Sequence, residues 1–358
     1  SSMIVNDVIK LENYKSFIFL QIFIFFLSSI SLFSALSKIL EKRLSMIIFT
    51  IFFFNPIIFQ WHLAFLTESL FLSLLVLSMS LLIQSKNISY FFLLGLLIGA
   101  LYMLRTIALL YPVIVLIYLT IQEKKISCLI YKASFLFLGV TIVLLLIGGS
   151  NYLRSKSFYF TPSQSKTDLR TYIEVDILIK SKNFTDRHAR EYLDNKTQKI
   201  INDLSFELDN EKRFLLINKK IRNQSIETIA NNKLIFTKII LKSYFHSMLL
   251  NPTQVYFESK YQNWNEYKKS TDHKFVFKFR ILITLIFFIL SLYGLIISKK
   301  KLPLSINFFL FFSILYFFFT SCWLSNTRYF IPSATLMSIY FSIALDKIYE
   351  QINLKKLD

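Results

Sequence analysis

Glycine and proline are scarce in this chain, with six of each in 358 residues. Spans interrupted by those residues in two matching halves, the usual mark of a transporter, are therefore missing, and no internal repeat replaces them. There are two cysteines, Cys128 and Cys322. Both border apolar runs without metal-type spacing, which excludes a disulfide framework and reads as free packing thiols. A P-loop, an HExxH helix, a Gly-rich dinucleotide turn and a GxSxG elbow are absent too. Acidic residues number 22 against 41 Lys and Arg, for a formal charge of +19.

What the chain has in abundance is apolar surface. Hydrophobic residues make up 54%, Phe alone contributes 39, and the mean hydropathy is +0.50. A soluble fold of this length cannot hide that much, so the sequence predicts an all-α polytopic membrane protein. Backbone groups in a bilayer must bond to one another, and long unbroken apolar runs choose helices over a barrel. The surplus of cations then belongs to loops beside anionic lipid, and no nucleic-acid partner is expected.

About nine transmembrane helices are predicted, over 16–37, 44–60, 65–84, 90–104, 107–122, 133–149, 277–297, 304–323 and 332–347. The fourth and fifth are separated only by Arg105-Thr106 and read either as two helices or as one bent unit. Lys38, Lys42, Arg43, Lys86, Lys124, Lys125, Lys132, Lys299, Lys300, Lys301, Lys347, Lys355 and Lys356 all fall on one side of this arrangement, which makes that side cytoplasmic. The other side receives residues 1–15, the 61–64 turn, Arg105, segment 150–276 and the 324–331 turn. An outside start, opening Ser1-Ser2-Met3 with no leader, implies one more helix upstream. A multi-pass protein of a bacterial inner membrane fits the wealth of Phe, Ile, Lys, Asn and Ser, which suggests an A/T-rich genome.

Three regions follow: a six-helix module over 1–149, an external polar region over 150–276 and a three-helix module over 277–358. Gly148-Gly149 is expected to end the sixth span, and Thr161-Pro162-Ser163 to turn. Residues 186–208 and 211–250 carry helical apolar spacing, the second as one run from Glu211 to Leu250 that Asn251-Pro252 stops. The apolar positions of that run either face the membrane or pack on each other, and the charges of the whole external region read mostly as a solvated face.

Chemistry-bearing residues gather on the outer side. Glu68 lies one turn inside an apolar span, where a carboxylate costs on the order of a few kcal/mol. Either it sits wetted among headgroups or it serves a site. His62 flanks the same span, Arg105 lies between the fourth and fifth, Arg154 follows the sixth, and Arg328-Tyr329 precede the ninth. Any single arginine there has an ordinary role, snorkelling to lipid phosphate. Three together with a carboxylate suit a lipid-linked phosphate, since guanidinium forks match phosphate oxygens and a carboxylate serves as base or metal ligand.

The order of short motifs resembles the membrane glycosyltransferases of the GT-C superfamily, in the manner of its protein-mannosyltransferase and aminoarabinose-transferase branches. The residues that carry the likeness are Asn55-Pro56 followed by Leu66-Thr67-Glu68-Ser69-Leu70-Phe71. Leu94 to Arg105 with Leu110-Tyr111-Pro112 comes next, then Asn151 to Thr161, and last Thr327-Arg328-Tyr329-Phe330-Ile331-Pro332. Lys156 stands where the family has a glycine. The resemblance implies inverting transfer of a sugar from a polyprenyl-phosphate donor to a glycan, lipid or protein acceptor on the external face. It implies that Arg105, Arg154, Arg328 and Tyr329 hold the donor phosphate. The family's catalytic acid belongs to the loop after its first helix, so Asp7 (with Glu12 the other early carboxylate) or a residue upstream of Ser1 is the expected base. Glu68 is then catalytic or supporting. Whether a divalent cation takes part stays open, and no metal ligands are assigned.

Two other classes remain. An O-antigen polymerase or ligase uses lipid-diphosphate donors and a loop histidine, for which His188, His246 and His273 are candidates. A flippase for lipid-linked sugars is the third reading, against which the scarcity of glycine and the unequal halves weigh.

Overall fold

Long apolar stretches without breakers close into helices, because a helix satisfies its own amide groups. The computed structural model describes residues 14–62, 67–84, 87–155, 158–160, 169–204, 210–249, 271–321 and 330–354, and over these it is all-helical. The helices are α1 (Tyr14–Leu36), α2 (Lys42–Phe54), a short α3 (Pro56–Phe59), α4 (Thr67–Gln84), α5 (Ile88–Leu104), α6 (Tyr111–Gln122) and α7 (Ile126–Ser155). There follow α8 (Val175–Lys182), α9 (Asp186–Asp203), α10 (Asn210–Asn231), α11 (Lys233–Met248), α12 (Thr271–Lys301), α13 (Leu304–Ser321) and α14 (Ile331–Leu354). Among them Lys15–Leu36, Thr67–Gln84, Ile126–Leu153 and Lys278–Lys301 are long and apolar enough to cross a membrane. The apolar stretches Ile88–Leu104, Thr106–Gln122 and Leu304–Thr320 are shorter.

The chain divides into two units, one gathering residues up to Val143 with those from Ser247 on, the other centred on Leu144–His246. In the first unit, contacts fix the direction of each helix. Ser31 and Ser80 share a 2.6 Å hydrogen bond and Gln84 donates to the Ser31 carbonyl, so α1 and α4 end together. Glu123, after α6, pairs at 2.5 Å with Lys132 of α7, whose ammonium lies over Phe91 near the start of α5. α5 and α6 are therefore two antiparallel helices, and the bent single unit is excluded. Tyr111 packs on Phe317 and Tyr118 on Phe309, which sets α6 antiparallel to α13.

The few glycines explain themselves at the crossings. A Cβ at Gly95 would collide with the Leu136 carbonyl, one at Gly139 would meet the Leu96 amide at 2.8 Å, and one at Gly99 would meet Val143 Cβ at 2.6 Å. Gly95 and Gly99 are spaced as in the small-xxx-small contacts of membrane helices, letting α5 and α7 approach backbone to backbone. Gly294 does the same for α12, against the Tyr340 carbonyl of α14. Hydrogen bonds reinforce that corner: Ser298 and the Tyr340 hydroxyl both donate to Asn307 Oδ1, at 3.0 and 2.7 Å.

One end of this unit holds a buried charge knot. Asp346 of α14, with no exposed surface, accepts from Arg43 Nε and Nη2 at 3.0 and 2.7 Å and from Lys301 Nζ at 2.6 Å. Glu350 accepts from Arg43, Lys301 and Lys347 at 3.1, 3.2 and 3.1 Å. The knot joins α2, α12 and α14 at the end rich in lysine.

The second unit is small and helical. A π-helical turn, Leu169–Glu174, leads into α8. α8 ends at Asn183, whose φ of 54° is the left-handed stop that asparagine tolerates. Thr185 then caps α9, accepting from the His188 amide. Three apolar clusters hold the unit. Val175, Leu178, Ala189 and Leu193 join α8 to α9; Ile173, Ile177 and Ile239 seat α11; Ile200, Leu204 and Ile221 join α9 to α10.

Two expectations change here. The 211–250 run is not one helix: Asn232 breaks it, its amide bonding back to Ile229 and its side chain to Thr228, while its carbonyl starts α11 at Phe236. Gly148-Gly149 does not end the sixth span either. α7 runs through both to Ser155, and the missing Cβ of Gly148 leaves room for the Phe158 ring, 2.5 Å from where that atom would be. Among this unit's charges, Arg170 and Glu174 are buried together. The Thr161-Pro162-Ser163 turn and Asn251-Pro252 lie outside the described residues.

Candidate active site at the Glu68–Arg105 end

Asn55-Pro56 prepares the site by ending α2. Proline cannot extend that helix but suits the first position of the next, and the Asn55 carbonyl accepts from Ile58 and Phe59 as α3 begins. The chain then tightens into a 3-10 turn, Gln60–His62, whose three side chains are buried. His62 stacks on Phe25 at 3.9 Å between ring centres, and its Nδ1 lies 2.6 Å from Ser69 Oγ in α4. Its Nε2 has no hydrogen-bond partner among the described residues.

Burial lowers the His62 pKa to about 3, so the ring is neutral at any physiological pH. The sign of the linkage follows. The unfolded chain takes up a proton near 6.5 that the folded chain refuses, so the contribution of His62 to stability is present above that value and fades as pH falls towards 3, at no more than about 1.4 kcal/mol per pH unit. Melting of the detergent-solubilised protein is expected to weaken between pH 6.5 and 4.5, and to weaken less in His62→Gln; equal slopes would show that His62 is not the source.

Glu68 stands in the first turn of α4, where the helix dipole favours a carboxylate. It is buried and pairs at 3.7 Å with Arg105 Nη2; their side chains are 7% and 11% exposed. Thr67 Oγ1 is 3.4 Å from the other carboxylate oxygen. α5 stops at Arg105, which adopts extended backbone angles and so leaves the helix axis. Its guanidinium lies 6.0 Å over the Phe71 ring, and Phe71 meets Phe317 edge-on. The turn after Arg105 is braced by Tyr316 of α13, whose hydroxyl donates to the Ile107 carbonyl and accepts from the Leu110 amide at 3.0 Å.

Glu68, Arg105 and His62 thus lie at the same end of the first unit, opposite the Asp346 knot: α1 and α4 run together towards the lysine-rich end, and Glu68 is at the start of α4. Arg154 falls in the last turn of α7, with its backbone alone described, in the second unit. Asp7, Glu12, Arg328 and Tyr329 lie outside the described residues. Among the loop histidines, His188 is exposed and stacked on Phe184, His246 is exposed, and the side chain of His273 is not described.

Phe71, Ser69 and Tyr316 support the site and were not singled out from sequence. Phe71 and Ser69 lie within the Thr67–Phe71 motif, but Tyr316 is one aromatic in a run of them and carries no signal of its own. Chemically, a guanidinium fork matches phosphate oxygens, and a buried Arg–Glu pair at one end of an apolar helical unit suits an anion of fixed geometry such as a phosphate ester. Among the described residues, no group of three or more His, Cys, Asp or Glu side chains is arranged to hold a metal ion. No protein-family model matches the chain, and no curated protein or solved structure matches it either.

Proposed function

We propose that this chain is a multi-pass membrane glycosyltransferase of GT-C type, moving a sugar from a polyprenyl-phosphate donor to an acceptor hydroxyl with inversion. The observation that carries the reading is the buried Glu68–Arg105 pair, held at the end of the helical unit opposite the Asp346 knot. That end is the external face if the lysine-rich end is cytoplasmic, and the nine spans expected from hydropathy give the same sidedness.

In the proposed reaction the acceptor oxygen attacks C1 of the sugar, the C1–O bond to phosphate breaks, and the electron pair leaves on the polyprenyl phosphate. The hydroxyl proton goes to a carboxylate, for which Asp7 is the candidate. Arg105, with Arg328 and Tyr329 as the resemblance implies, stabilises the charge gathering on the departing phosphate. Glu68 keeps the Arg105 guanidinium oriented, which is a positioning role. The acceptor is a glycan, lipid or protein.

The test is transfer in proteoliposomes supplied with a panel of synthetic polyprenyl-phosphate sugars. A new glycosidic bond and stoichiometric release of polyprenyl phosphate are expected for one member. Movement of donor between leaflets without release would instead identify a flippase. Turnover only with diphosphate-linked oligosaccharides, abolished by His188→Ala and untouched by Glu68→Gln, would identify a polymerase or ligase.

A further inference from the structure

α11 is apolar on two faces, and only one of them is used inside its unit. Ile235, Phe236, Ile239 and Ile240 pack against Ile173 and Ile177. Leu234, Leu241 and Phe245 point the other way and are 81, 64 and 71% exposed. At 100° per residue these three fall within about 40° of one another, forming a single stripe over three turns. Lys238 lies about 20° beyond one edge of that stripe, Lys242 further out on the same side and Lys233 on the other, and the helix contains no acidic residue.

We infer that this stripe is a bilayer-docking surface: α11 lies along a membrane interface with Leu234, Leu241 and Phe245 among acyl chains and its lysines at anionic headgroups. Charge selects this occupant. Lysine is depleted at the centres of protein–protein interfaces, whereas an apolar stripe edged by lysines, whose long stems reach back to the phosphates, is the pattern of interfacial helices. Chain continuity agrees. The unit is entered along α7 directly from the apolar span Ile126–Leu153, and α11's last residues, Ser247 and Met248, group with the first unit. Both ends of the segment are thereby tied to apolar helices, so a bilayer is always within reach. The inference stands without the glycosyl-transfer reading, and its test measures no turnover.

The experiment places single cysteines at 234, 241 and 245, and at exposed Lys219 of α10 as control, in a full-length protein carrying Cys128→Ser and Cys322→Ser. Each is labelled with a polarity-sensitive fluorophore and reconstituted into phosphatidylcholine/phosphatidylglycerol vesicles. Blue-shifted emission and severalfold quenching by lipids spin-labelled near the headgroup are expected at the three stripe positions and not at 219. Water-like emission at the stripe overturns the inference. So does a blue shift that spin-labelled lipid fails to quench, since that reports a protein partner or a second copy. Lys238→Glu with Lys242→Glu is expected to weaken quenching in phosphatidylglycerol-containing vesicles far more than in phosphatidylcholine alone. Equal quenching in both overturns the preference for anionic headgroups.

Discussion

Glu174→Ala is expected to unfold the Leu144–His246 unit while the apolar helices remain intact. The Glu174 carboxylate is 1% exposed and accepts from Arg170 Nε at 3.3 Å, Ser225 Oγ at 2.7 Å and Thr228 Oγ1 at 3.0 Å. Arg170, also buried, spends its remaining donors on Thr197 at 2.6 Å and Gln224 at 3.2 Å. These bonds tie the π-helical turn to α9 and α10. Without the carboxylate the guanidinium is a buried cation with no counter-charge, a change that costs about 3–5 kcal/mol. A unit held by three small apolar clusters has little beyond that to lose, given that whole domains are stable by about 5–15 kcal/mol. Removing both charges strands neither, so Arg170→Leu with Glu174→Leu is expected to be markedly more stable than Glu174→Ala alone. Limited proteolysis of membranes reads the difference: rapid cleavage within 169–246 for the single variant, slow for the double. Equal rates would mean that the ion pair is not what holds the turn.

Arg105→Gln carries the second large effect, on turnover rather than folding. If Arg105 meets the departing phosphate, its loss is expected to lower transfer about 10²–10³-fold, the usual scale for removing one donor aimed at developing charge. Glu68→Gln keeps the shape of the site and releases the guanidinium, so a smaller loss is expected. Because Glu68 acts through Arg105, the double variant is expected to be no slower than Arg105→Gln, a non-additivity that independent roles would not produce. Size-exclusion profiles in detergent check that each variant is folded. Additive losses would assign Glu68 a direct role at the substrate.

The helices were legible wherever hydropathy alone decides. The expected spans at 65–84 and 304–323 match α4 and α13 over their described residues, because an apolar run without breakers has little choice but to stay helical. What hydropathy cannot see is satisfaction between helices. Asn232 looks like any polar position in an amphipathic run, and only its bonds to Thr228 and Ile229 reveal a break. Gly148-Gly149 looks like a terminator, yet helix continuation costs a glycine only about 1 kcal/mol and the Phe158 ring uses the space. Nothing in the sequence singles out Arg170 and Glu174, because four-residue spacing of opposite charges is equally common on a wet face. A carboxylate in an apolar run singles out Glu68 in the sequence, and a lone arginine between two spans singles out Arg105. Their pairing depends on α4 and α5 being neighbours, which spacing does not encode.

The Asp346 knot has a mechanical consequence. Three helices that share one buried carboxylate are clasped at that end, because separating α2, α12 and α14 there means pulling two cations from a desolvated anion. Relative movement of these three helices is therefore expected to be smallest at the lysine-rich end.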